Sequence, residues 1–595
     1  MTKQQILNIL KSVGKPDLFI PEEKRLAIPN NPLLKPYLQE IADFAEKCRG
    51  TAIPALPYSR FKLFHETGDR FQYEDSEVGY FPRRGRISAF GVLSWLYERE
   101  EDIHELEDII WAICDEYTWS LPAHVEREAF TTRLENDAYM VDLFAAETAQ
   151  TLAEICFLLG SRIAPIVRLR VERLIKERVL DRVLQQDFGW MTATHNWAAV
   201  CAGSVGMAAI YAIEDEERLA EVLSRLLPSL DCFLSGFSED GACLEGIGYW
   251  RYGFSYFTEF AELLERRTAG KICLFDDPRV EKIAAFQQKI YFPGGRTVCF
   301  SDGSSRAKWF PGISFFLNSR FESVTLLPEA FCQLSFAADH CHRWSNILRN
   351  LLWAQEKAAE EGRFQTCCLP AAQWFIGHSP VGAGIAAKAG HNDEPHNHND
   401  VGSFQYYLNG EEMLSDLGSG EYTRQYFSDQ RYDYFVCGSQ GHSLPMIDGC
   451  TQRAGKEARA EDVVLNEKGI RMDMTNVYGL DCLKSLTRSV QFDETTGTMT
   501  LTDAFVLDEE KHDVCERFIT YGKVTVEDGC AVIRLNEQAI RVDYDPALFA
   551  PIVTPVTYSA HMGVKRQLFT LDFHAMVQGA FRACFTIRPV TAKKG

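Results

Sequence analysis

Up to about residue 360 the apolar residues recur three and four positions apart. VDLFAAETAQTLAEICFLLG (141–160) and IVRLRVERLIKERVLDRVLQQ (166–186) each carry an apolar stripe of helical period. NWAAVCAGSVGMAAIYAI (196–213) is rich in Ala and Gly, which predicts a closely packed helix. ERLAEVLSRLLPSLDCFLSGF (217–237) and WRYGFSYFTEFAELLERR (250–267) continue the series. About a dozen such segments, joined by short Gly-, Pro-, Asp- or Ser-bearing connections, predict paired helices in an (α/α) toroid or solenoid. No clear repeat of fixed length is present, which argues against a TPR or HEAT array.

After about residue 370 the period changes to two. VGSFQYYLNGEEMLSDLG (401–418) predicts a strand, an Asn-Gly turn and a second strand. EDVVLNEKGIRMDMTNVYG, SLTRSVQFDETTGTMTLTDAFVL and VTVEDGCAVIRLN repeat that pattern with Val, Thr, Ile, Tyr and Phe between acidic-Gly turns. These segments predict an antiparallel β-sandwich. The fold class is therefore α and β: an N-terminal (α/α) toroid over 1–370, then a β-sandwich over 371–595. All ten Trp lie at or before Trp374, so their loss falls on the same boundary.

Asp and Glu number 83 against 62 Lys and Arg, for a net charge of −21. That excludes a general nucleic-acid or anionic-membrane binder, since both need a broad basic surface. An anionic substrate in a locally basic cleft stays compatible. No h-region or small-residue cleavage site follows the N-terminal Ile6, Leu7, Ile9 and Leu10, and no stretch approaches the ~20 apolar residues of a membrane span. The 18 Cys include no C-x-x-C pair, so reduced thiols are expected rather than a disulfide framework. The expected compartment is the cytoplasm, or the periplasm or exterior if a signal has been trimmed.

Five of the 14 His fall in one window: His378, His391, His396, His398 and His442. On a strand, His396 and His398 in HNHND would face one side. Asp416 follows in LSDLG and His442 in SQGHSLP, giving a two-His, one-Asp set of zinc type. A cupin-like site is the alternative. In the helical half, THNWAAV (194–200) puts His195 and Asn196 at a predicted helix start, beside Trp197. SEDGACLEGIGYWRYGFSYF (238–257) then offers Asp240, Glu245, Tyr249, Trp250, Arg251 and Tyr252 before a helix. Trp, Tyr and Arg there suit a sugar cleft, because aromatic faces stack on pyranose rings and Arg pairs with carboxylates. Arg83, Arg84 and Arg86 in FPRRGRIS, expected as a loop, and Arg251, Arg306, Arg424 and Arg431 are further candidates for a basic cleft.

HNHNDVGSF followed by LSDLGSGEY, with THNW and EGIGYWRYG, resembles the heparinase II/III-like polysaccharide lyases. The motifs cover roughly residues 140–450 and the architecture the whole chain. The resemblance implies cleavage of uronic-acid polymers, glycosaminoglycans or alginate, by β-elimination. It implies His398, Asp416 and His442 as ligands of one divalent metal, zinc with Mn or Ca as alternatives, structural rather than catalytic. It implies His396 facing substrate, Asn196 with His195 at the uronate carboxylate, and Tyr249 as acid or base. Some members carry Glu three residues after the helix-start His. Ala198 stands there, so a mechanism using that Glu does not transfer. Trp197, Trp250, Arg251, Tyr252, Arg83, Arg84, Arg306 and Tyr422 are the expected substrate contacts. The expected partner is an anionic polysaccharide or oligosaccharide, with no nucleic acid or membrane, and homo-oligomerisation is left open. Two rivals remain: a toroid glycoside hydrolase using two of Asp240, Glu245 and Asp302, and a non-catalytic sugar-binding metalloprotein.

Overall fold

The computed structural model describes residues 1–125, 139–307, 311–328, 331, 334–355 and 364–590. The chain forms two compact units, each drawn from separate stretches. The first takes Met1–Gly236, Tyr249–Glu281 and Lys308–Glu361; the second takes Phe237–Gly248, Lys282–Ala307 and Gly362–Gly595. The units are thus not two uninterrupted segments meeting at residue 370, because 237–248 and 282–307 pack with the β-rich part.

The first unit is the helical toroid, and four of its helices matter below. α1 (Tyr80–Tyr97) is buried along almost its whole length. FPRRGRIS lies within it, not in a loop, since Pro82 sits in the first turn where a helix tolerates the missing N–H. α2 (Leu143–Leu159) starts at Asp142, whose side chain accepts the Ala145 N–H at 2.7 Å. By length and hydropathy, Leu143–Arg162 passes as a membrane span, which the sequence pattern had not suggested. However, 78% of its apolar window is buried inside the protein, as in a core helix. α3 (Asn196–Ala212) is buried on every side, as its Ala and Gly content predicts. α4 (Ile247–Arg267) begins earlier than expected, so Tyr249, Trp250, Arg251 and Tyr252 lie in its first turns.

The second unit is the antiparallel β-sandwich. Its largest sheet has eight strands, in the order Glu461–Asn466, Gly469–Asp473, Leu483–Asp493, Thr498–Leu507, Ala580–Pro589, Gln538–Asp543, Cys530–Leu535 and Lys523–Glu527. Inward residues alternate with outward ones along Leu483–Asp493 and Thr498–Leu507, so one face meets a core with Phe518, Phe573 and Phe585 at its centre. Two two-stranded sheets, a four-stranded and a five-stranded sheet complete the unit. The last contains β1 (Phe404–Leu408) and β2 (Glu411–Leu414), joined by Asn409 and Gly410, both at positive φ as a tight hairpin turn requires. Inside the sandwich, Arg488 pairs with Asp503 and Glu516 and donates to the carbonyls of Gly402 (2.9 Å) and Ser443 (3.0 Å). It thereby ties down two loops that carry the histidines. All cysteines among the described residues are free thiols.

Candidate active site and metal centre

In the β unit, His398, Asp416 and His442 are fully or almost fully buried, and their ligand atoms lie within 4.8 Å of one another. The hydrogen bonds around them sort the ring nitrogens. His442 Nε2 faces the Val436 carbonyl at 3.0 Å, leaving Nδ1 toward Asp416 Oδ2 at 3.1 Å. His398 Nε2 meets Asp302 Oδ1 at 3.1 Å, and its Nδ1 is buried with no hydrogen-bond partner. Two Nδ1 atoms and one carboxylate therefore converge, each imidazole held from behind by an acceptor. An orphaned buried nitrogen inside such a set fits a metal ion. Two imidazoles with one carboxylate suit zinc with an open fourth position and disfavour calcium, which takes oxygen ligands. Without an ion, burial opposes charge on His398, but Cys437 and Asp302 outweigh it and lift the imidazole to about 10. A metal would displace that proton.

HNHND is not a strand. Pro395 stands immediately before it, and His396 sits in a loop at φ 53°, a left-handed conformation uncommon outside glycine. Asp302 supplies the convergence that a strand was expected to give. Its Oδ2 accepts from His396 Nδ1 at 2.6 Å and Tyr422 OH at 3.0 Å. Its Oδ1 takes His398 Nε2, Arg431 Nη2 at 3.1 Å and the Tyr426 hydroxyl. Burial would raise Asp302, but the bonds from His396 and His398 and the charge of Arg431 hold it well below the usual carboxylate range. Arg431 also donates to the carbonyls of His396 (2.9 Å) and Asn397 (2.8 Å), which fixes the strained loop from outside. Gly418 permits the arrangement: a Cβ there would strike the Gly303 carbonyl, next to Asp302. Glu245 lies 3.9 Å from His396 Nε2; burial raises its pKa, against the opposing charge of His396.

In the helical unit, α3 and α4 run side by side with their N-termini at one end. A Cβ on Gly253 would come within 3.1 Å of Asn196 Cα, and one on Gly203 within 2.8 Å of the Tyr256 carbonyl. Tyr249 is one turn before Gly253, on the face that packs against the start of α3. His195 is exposed at the N-cap, Asn196 is buried at the first helical position, and Tyr249 is half-buried. Trp197 meets His124 edge-on at 4.8 Å.

Several expected substrate contacts are committed elsewhere. Trp250 is only 1% exposed and packs on Phe254, so it is core rather than a stacking platform. Arg83 and Arg84 are buried against Glu116: Arg83 Nε at 2.8 Å, and Arg84 bidentate at 2.7 and 2.8 Å. Arg86 holds the Thr51 and Ala52 carbonyls. Tyr252 donates to Glu147 beneath Arg343. Arg306 and Arg424 are exposed, and Arg251 is half-buried.

No family model matches this chain, and no curated protein matches it by sequence. Solved structures do match. Heparinase III superposes with TM-score 0.64 at 13% identity, over 95% of this chain and 94% of that one. Heparan sulfate lyase HepC of Pedobacter heparinus gives 0.61 at 13%, over 100% and 94%. The chondroitin AC lyase of Streptomyces coelicolor A3, solved with chondroitin sulphate, gives 0.54 at 12%, over 96% and 82%. The fold is that of the heparinase-type lyases. The residues around the histidines that sequence reasoning missed are Asp302 as their shared acceptor, Tyr426 and Val436. Asp302 had been nominated only as a hydrolase carboxylate, and its partners lie about 95 to 130 positions away, beyond any local pattern.

Proposed function

We propose that the protein is a polysaccharide lyase cleaving uronic-acid-containing chains, glycosaminoglycans first and alginate second, by β-elimination. The observation that carries this reading is His396, oriented through Nδ1 by a buried carboxylate beside a two-His, one-Asp ligand set, on a lyase-type fold.

β-Elimination removes the C5 proton of the uronate, expels the 4-O-linked sugar and leaves a C4=C5 double bond. The C5 proton is weakly acidic, so charge developing on the carboxylate must be neutralised. Asn196 is suited to that, with an amide donor at a helix N-terminus whose dipole favours anions. Asp302 occupies Nδ1 of His396, which assigns base chemistry to Nε2; His195 is the second candidate base. Tyr249 protonates the departing oxygen. A tyrosine hydroxyl in water, with a pKa near ~10, carries its proton at neutral pH. Zinc held by His398, Asp416 and His442 would supply fixed positive charge that pins the loops. Arg251, Arg306 and Arg424 are candidate cations for the anionic substrate.

The hydrolase alternative retains Glu245 but loses the second carboxylate of its pair. Asp302 is saturated with donors, and Asp240 accepts the Ala371 and Ala372 N–H groups at 2.8 and 3.2 Å. The test is Tyr249→Phe on a polymer that the wild type degrades. A loss of roughly 10²–10⁴ in kcat is expected; full activity in a folded variant would contradict the assignment.

A further inference from the structure

We propose that Asp302 is a positioning residue that makes the orientation of His396 depend on occupancy of the His398/Asp416/His442 metal site. The inference rests on the lyase reading for the role of His396, but not for its own geometry.

Asp302 has no exposed side-chain surface and receives five donors on two oxygens. A carboxylate offers about four lone-pair directions, so each donor competes for its place. Two donors are imidazoles with different tasks: His396 Nδ1 on Oδ2 and His398 Nε2 on Oδ1. Each must present an N–H to Asp302, so one carboxylate sets both tautomers. For His398 this turns Nδ1 toward the metal set. For His396 it turns Nε2 away from Asp302. A metal held by His398 would anchor that ring and, through Nε2–H, one oxygen of Asp302. The other oxygen then has a fixed place from which to hold His396. His396 uses this support because its backbone lies in the left-handed region, which surrounding contacts must stabilise. The metal therefore affects turnover through Asp302 without touching substrate.

The first experiment needs no variant. Imidazole ¹⁵N NMR of zinc-loaded wild type should show His396 protonated at Nδ1 and His398 at Nε2, and a chelator should broaden or shift the His396 signals. His396 protonated only at Nε2, or signals indifferent to zinc, would overturn the proposal. The second uses Asp302→Asn, which keeps the size but turns an NH₂ toward donors. Zinc affinity, measured by competition with a chromophoric chelator, should fall about 10–100-fold. kcat should fall with KM nearly unchanged. Asp302→Asn combined with His398→Ala should be no slower than the worse single variant; additive losses contradict the coupling. If the wild type degrades no uronate polymer, the lyase reading fails, while the NMR and zinc measurements still decide the role of Asp302.

Discussion

Glu116 in the helical unit and Asp302 in the β unit are both buried carboxylates surrounded by cations. Around Glu116 every partner is scaffold, although Arg84 Nε is buried without a hydrogen-bond partner. Arg84 grips both oxygens, and the remaining nitrogens of Arg83 end on the Pro54 and Ala112 carbonyls at 2.6 Å each. Around Asp302 the circuit is open. Two of its donors are imidazoles, each with a second nitrogen that does not face Asp302. A buried charge whose partners are all scaffold contributes to packing and to the uniqueness of the fold. A buried charge that orients groups with a second reactive atom builds a site. Arginine content alone does not tell the two apart.

The comparison can be broken by exchanging its outcomes. His396→Ala should lower kcat by roughly 10²–10⁴ and leave the urea midpoint unchanged. Glu116→Gln should do the reverse. It strands two buried guanidiniums and should cost about 3–5 kcal/mol in stability, while the folded protein keeps its KM. If Glu116→Gln altered KM and left stability intact, Arg83 and Arg84 would be cleft residues after all. Zinc removal should slow turnover about 10–100-fold without abolishing binding of a uronate oligosaccharide, as measured by calorimetry.

A smaller effect sharpens the scaffold side. Burial outweighs the charge of Arg349 and the Ser345 hydrogen bond and lifts Glu259 on α4 to about 8, from an ordinary 4.5. A carboxyl raised by folding keeps a proton that the unfolded chain releases. Stability should therefore fall as pH climbs between those two values. Glu259→Gln should flatten that slope in urea unfolding followed across the window; an unchanged slope would contradict it.

Sequence pattern carried far where local chemistry decides the structure. The Asn409-Gly410 turn, the start of α3 at Asn196 and the Trp-rich helical half follow from residues close together in the chain. The grouping of His398, Asp416 and His442 was legible because its motif segments were recognisable, although His396 and His398 converge through Asp302 and not through strand alternation. FPRRGRIS misled because Pro82, Gly85 and three arginines look like an exposed loop. Nothing local reveals that Glu116 awaits Arg83 and Arg84 about 32 residues on. Trp250 misled for the same reason, since aromatic content does not distinguish a sugar platform from core.

The most direct test of the central claim is product chemistry. Purified zinc-loaded protein should be incubated with hyaluronan, chondroitin, heparan sulfate, heparin and alginate in ¹⁸O-labelled water while ultraviolet absorbance is followed. A lyase produces a rising absorbance from the conjugated unsaturated uronate, and no ¹⁸O enters the product at the cleaved bond. Cleavage with ¹⁸O incorporation and no chromophore would show a hydrolase and contradict the account.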